Sequence, residues 1–217
     1  MLLSLFVAAC ATQRPPAANV PCPSNDGVRE LARRVALLET WLSDYPPRLR
    51  DDTQRADVRA QWNHAGALAE AMIPTNRDDA CFLNVLGDLN RQGHNLGVKD
   101  SFPAADQAFA RCLAIDPGSV GCRFSRARLY IASDPSLAAA AAEDLKHVKE
   151  LLAPQVYPNI ELWLARAYFM QGQSDAALRQ LDVYLSLRPS DSTARQFRDA
   201  IASGEATVVR RPPGATP

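Results

Sequence analysis

Charge of one sign is missing: 24 Lys and Arg stand against 24 Asp and Glu in 217 residues, for a formal net charge of zero. Without a basic or acidic excess, the electrostatic argument for nucleic acid or anionic lipid as the main partner disappears. Aromatic residues are scarce at 7%, and histidine occurs only three times. The apolar content, 47% in all, comes instead from 36 Ala and 25 Leu. Small and unbranched side chains favour packed helices over sheet, so an all-α fold is expected. No apolar run reaches the roughly 20 residues needed to cross a bilayer. The GxSxG, HExxH and phosphate-loop patterns are also absent.

His64, His94 and His147 are spread along the chain with no converging nucleophile, which argues against an enzyme. The pairs Asp51-Asp52 and Asp78-Asp79 precede helical segments, where negative charge favours the helix N-terminus without any catalytic role. Cys81, Cys112, Cys122 and His94 lack the close spacing of a metal knuckle, so neither a metal nor a cofactor is expected. Four cysteines, Cys22, Cys81, Cys112 and Cys122, permit three full pairings, and the spacing does not choose among them.

What is present begins with an address. Residues 1–9, MLLSLFVAA, form a short apolar run ending at Cys10, of the length of a secretion signal. Val7-Ala8-Ala9-Cys10 resembles the lipobox of bacterial lipoproteins, although no Lys or Arg opens the run. The resemblance implies removal of residues 1–9, lipidation (palmitate) at Cys10 and membrane attachment through that lipid. Ala11 is not the Asp that retains many lipoproteins at the inner membrane, so the resemblance implies an outer-membrane protein facing the periplasm. Residues 10–26, rich in proline, read as an extended tether.

The folded part is expected over residues 27–203. Val28, Leu31, Val35, Leu38, Leu42 and Tyr45 alternate steps of three and four, predicting an amphipathic helix stopped by Pro46-Pro47. Its seam is under three heptads, so packing within the chain is expected over oligomerisation. A second helix is predicted from Asp52 to Ile73, ending before Pro74, to complete a hairpin.

Three units of similar length then follow, closed by Pro117, Pro154 and Pro189. The last carries Leu164-Ala165, Tyr168, Gly172, Ala177, Leu181 and Pro189, with Ser174 as a candidate cap. The middle one repeats Ala127, Tyr130, Ala139, Leu145 and Pro154, with Arg126 where a large apolar residue is expected. The first repeats Leu86-Gly87, Ala105, Phe109 and Pro117, with extra residues after Gly93. This order resembles the tetratricopeptide repeat (TPR), and implies an all-α, TPR-like helical-hairpin solenoid with an N-terminal hairpin and a capping helix at 192–203. Residues 204–217 are expected to be a disordered tail.

In that family the first helices of successive hairpins line a groove that binds protein partners. Projecting its positions here gives Asn84, Asp88 and Arg91, then Phe124, Arg128 and Ile131, then Leu162, Arg166 and Phe169. Arg128 and Arg166 would suit acidic side chains between apolar anchors. Phe124 and Leu162 stand where the carboxylate-clamping subclass uses Lys and Asn, so that mode is disfavoured. The expectation is a scaffold for a protein or peptide partner of an envelope complex. The alternatives are an oligomerising module built on the first seam, and a regulator of a periplasmic cell-wall enzyme.

Overall fold

A computed structural model describes residues 26–208, all helices and connections. The expected signal peptide, Cys10 and the tether up to residue 25 lie outside the described residues, as does the tail beyond 208. Among the described residues nine α-helices run in order: α1 Asp26–Leu42, α2 Asp52–Asn76, α3 Ala80–Asn95, α4 Ser101–Ile115, α5 Val120–Ser133, α6 Ala138–Leu152, α7 Pro158–Met170, α8 Ser174–Leu187 and α9 Ser192–Ala202. None is long and apolar enough to cross a membrane. Paired as α1–α2, α3–α4, α5–α6 and α7–α8 and closed by α9, they form the expected hairpin solenoid.

The helix starts follow from short polar side chains that accept otherwise orphaned amide protons. Asp51 accepts from the Gln54 amide, Asp79 from those of Cys81 and Phe82, Ser119 from Cys122, and Asp191 from Thr193 and Ala194. Ser174 does not cap α8: it is the first helical residue, and Gln173 precedes it without a side-chain cap. Gly172 adopts the left-handed conformation (φ 75°) that turns α7 into α8.

Pro74 does not stop α2, which continues to Asn76. Two residues from the helix end, a proline forfeits one backbone hydrogen bond, and the Asn76 side chain donates 2.9 Å to the Met72 carbonyl. The extra residues of the first unit lengthen α3 and then fold inward. Leu96 is fully buried, Arg59 donates 2.8 Å to its carbonyl, and the Val98 amide donates to Gly93. Between α5 and α6 the chain makes a single 3-10 turn, Pro135–Leu137. Past α9, the Ala206 amide donates to the Ala200 carbonyl and Ala206 packs on the last core.

The core is segmented. One cluster joins α1, α2 and α3 through Leu31, Val35, Ala65 and Phe82; another joins α3, α4 and α5 through Leu83, Phe109 and Leu129. The series continues with Leu145 and Leu164 between α5, α6 and α7, and with Leu181 and Phe197 among α7, α8 and α9. Each cluster welds a hairpin to the next, as stacking requires of units that cannot bury an apolar face alone. Val28, Leu31, Val35, Leu38 and Leu42 are all at most 2% exposed. The seam proposed for oligomerisation is therefore consumed inside the chain.

Two substitutions of the repeat pattern have local causes. Arg126 takes the place of a large apolar residue because its guanidinium forms a two-point pair with the buried Asp144, at 2.7 and 2.8 Å. Gly87 allows α3 and α4 to approach: a Cβ there would stand 2.6 and 2.8 Å from two ring carbons of the fully buried Phe109. Gly87→Ala is expected to cost about 1–3 kcal/mol by overpacking, read as a lower urea midpoint with an unchanged slope.

Candidate protein-binding groove

Helices α1, α3, α5 and α7 lie side by side, and their shared face carries one arginine from each of the last three. Arg128 and Arg166 occupy the same position of their helices, where α3 has Asp88, and Arg91 stands one turn further along α3. Their partners come from the opposite end of the sequence, the last turn of α1 and the residues after it. Arg91, 1% exposed, donates to Glu39 at 2.6 Å and to Asp88 at 2.9 Å. Arg128 pairs with the other oxygen of Glu39 and donates 2.9 Å to the Ser43 carbonyl. Arg166 reaches Asp44 at 3.0 Å across 122 positions of sequence.

Backbone carbonyls complete the frame. Gln92 donates 2.8 Å to the Val35 carbonyl and Asn95 donates 2.9 Å to that of Leu42, while Ser125 donates 3.1 Å to Asp88. Cations and amides gathered at the C-terminal end of α1 also meet the negative end of its dipole. Trp163 lies between the last two arginines, its ring 5.2 Å from the Arg128 guanidinium carbon and 4.4 Å from that of Arg166. Such stacking holds guanidinium planes while leaving their edges to accept carboxylates.

The burial of so many charges sets their protonation. Desolvation pushes the Glu39 carboxyl up, but Arg128 and Arg91 overcome it and hold the group well below its ordinary 4.5. Burial pulls Arg91 down, yet Glu39 and Asp88 raise it above the ordinary arginine value. Arg128 goes the other way, lowered by burial and by the adjacent Arg91. Its Nε is buried without a hydrogen-bond partner among the described residues.

The projected groove residues divide into two groups. Asp88, Arg128 and Arg166 come together in the charged row with Arg91. Phe124 is 8% exposed under the Arg128 guanidinium, and Leu162, 6% exposed, points into the core with α8 and α9. Ile131 is half-buried against the α5–α6–α7 cluster, Phe169 meets Phe197 edge-on at 5.4 Å, and the Asn84 amide lies against Gly121. Glu161 is no partner of the row, since Lys149 takes it at 2.8 Å.

The projection missed Glu39, Ser43, Asp44 and Trp163. Trp163 carried a readable signal, standing three residues before Arg166 on the same helix. Glu39 and Asp44 carried none, because their neighbours in sequence are those of any helix end.

Catalytic geometry is not assembled around the histidines. His64 and His147 are exposed on α2 and α6. His94 lies 3.0 Å from the Ser133 hydroxyl, between Tyr45 and Phe102. That hydroxyl also lies 2.6 Å from the Leu129 carbonyl, within its own helix. Among the described residues no three His, Cys, Asp or Glu side chains gather as a metal would require. Cys112 and Cys122 form a disulfide joining the end of α4 to the start of α5. Cys81 is also disulfide-bonded.

No family model matches the chain, and no curated protein matches it. Among solved structures, a thermophilic TPR protein of Thermus thermophilus superposes with a TM-score of 0.55 at 19% identity, over 82% of this chain and 95% of that one. At that identity the likeness speaks for architecture alone. Hairpin order, segmented cores and structural neighbour agree: the chain folds as a TPR-like helical-hairpin solenoid.

Proposed function

We propose that this protein is a lipid-anchored adaptor of the bacterial cell envelope, bound at the periplasmic face of the outer membrane, which holds a protein partner on the inner face of its solenoid. The observation that carries the reading is the arginine row with its stacked Trp163, a surface already engaged by acidic groups from a distant segment. A row of guanidiniums on an aromatic support recognises carboxylates of a folded or extended partner. The Val7–Cys10 lipobox supports the anchor. The buried Cys112–Cys122 bridge supports an oxidising compartment, since such bonds are rare in reducing cytosol. Regulation of a cell-wall enzyme is one form that adaptor work could take. Oligomerisation through residues 28–45 is disfavoured, because that stripe is spent on α2 and α3.

The test is crosslinking and pull-down from intact cells, with palmitate labelling in parallel. Arg166→Glu is expected to lose the captured partner while keeping the circular dichroism of the parent, and Cys10→Ser to lose the label and the membrane fraction. Undiminished capture by Arg166→Glu would refute the groove. Arg128→Glu is a poorer probe, because it would set a carboxylate against Glu39, which the packed α1 holds in place, whereas Asp44 lies beyond that helix.

A further inference from the structure

The residues after α1 do more than connect two helices. The helix itself is fixed by an apolar stripe at most 2% exposed, whereas residues 43–46 lie beyond it, partly or fully exposed, between the anchors Leu42 and Leu49. This strap crosses the arginine row. It offers two acceptors on consecutive residues: the Ser43 carbonyl to Arg128 at 2.9 Å and the Asp44 carboxylate to Arg166 at 3.0 Å. Both members of the Asp44–Arg166 pair retain some solvent contact, at 16% and 15% exposure.

From this geometry we propose that Ser43-Asp44 is a resident ligand of the groove, a displaceable competitor that an acidic partner segment must replace. The charge count supports it. Arg91, Arg128 and Arg166 are balanced by Glu39, Asp88 and Asp44, so lifting the strap leaves one uncompensated positive charge beside Trp163. The buried Arg128 Nε, without a partner among the described residues, adds a donor that the strap does not satisfy. The occupant that fits is a carbonyl followed on the next residue by a carboxylate, as at the C-terminal end of an acidic helix. Glu39 stays in place throughout, because it belongs to the packed body of α1. Competition of this kind sets a threshold: only a segment that beats a tethered ligand at high local concentration gains the site.

This proposal rests on the adaptor reading, but the two fail separately. The probe is a fluorescent peptide copying residues 42–47, LSDYPP, titrated by anisotropy into the whole protein. Asp44→Ala removes the competing carboxylate and is expected to bind the probe roughly 10-fold or more tighter than the parent, given the effective concentration of a tethered ligand. Replacing the peptide's Asp by Ala, or adding Arg166→Ala to the protein, is expected to abolish the gain. In the parent, saturating peptide is expected to speed hydrogen exchange of the 43–45 amides. If Asp44→Ala, with an unchanged unfolding midpoint, binds no tighter than the parent, or if no form binds, the strap is not a competitor. Partner capture in cells would then decide the adaptor reading by itself.

Discussion

Glu39→Gln lowers the free energy of unfolding by about 3–5 kcal/mol, the range found when one member of a buried ion pair is removed. Gln keeps the volume and one acceptor but leaves Arg91, 1% exposed, and Arg128, 11% exposed, with Asp88 as their nearby carboxylate. Urea denaturation reads the loss directly. A Glu39→Leu, Arg128→Leu variant, which leaves Arg91 paired with Asp88 and Arg166 with Asp44, separates charge from packing: it should recover much of the stability, because the penalty is an uncompensated charge rather than a missing contact. A charge-balanced variant no more stable than Glu39→Gln, or no loss in Glu39→Gln itself, would contradict the account.

The same carboxylate gives the fold a dependence on acid. Its folded-state value lies well below the ordinary 4.5, so as the pH falls past 4.5 the unfolded chain takes up a proton that the folded chain refuses. Stability from Glu39 is thus fully present above that pH and declines below it. In Glu39→Gln that part of the slope should vanish.

The second large effect concerns the disulfide. Cys112 and Cys122 are ten positions apart, both fully buried among Leu83, Phe109 and Leu129. Opening that loop by Cys112→Ala, Cys122→Ala is expected to cost about 3 kcal/mol from chain entropy, a fall in Tm of roughly 6–12 °C for a domain of this size. The serine pair should fall further, since it also buries two hydroxyls in an apolar cluster. Reductant added to the parent should reproduce the alanine result or exceed it, because Cys81 is bonded as well.

The architecture could be read because its determinants are local and repeated. Ala165 and Ala177, both fully buried, and Gly172 at φ 75° sit where the repeat pattern put them. The steps of three and four from Val28 to Leu42 likewise mark the buried stripe. Errors arose where position on a helix, rather than helix identity, mattered. Leu162 belongs to the projected groove but packs into the core, and its neighbour Trp163, about 100° around the helix, supports the row instead. Pro74 was read as a stop because its ring obstructs a helix interior, and it stands where little helix remained. The pairs Glu39–Arg91 and Asp44–Arg166 span 52 and 122 positions, and no local pattern announces such a meeting.

Those long pairs alter how the stack should come apart. Rods that touch only their immediate neighbours can fray from either tip while the middle stands. Here the end of α1 reaches past α3 and α5 to α7, so loosening α7 frees Asp44, and loosening α1 takes Glu39 from Arg91 and Arg128 and Asp44 from Arg166 at once, leaving Asp88 as the row's acid. The two extremities are bound to a common fate, and the row melts as a block rather than as a string of beads.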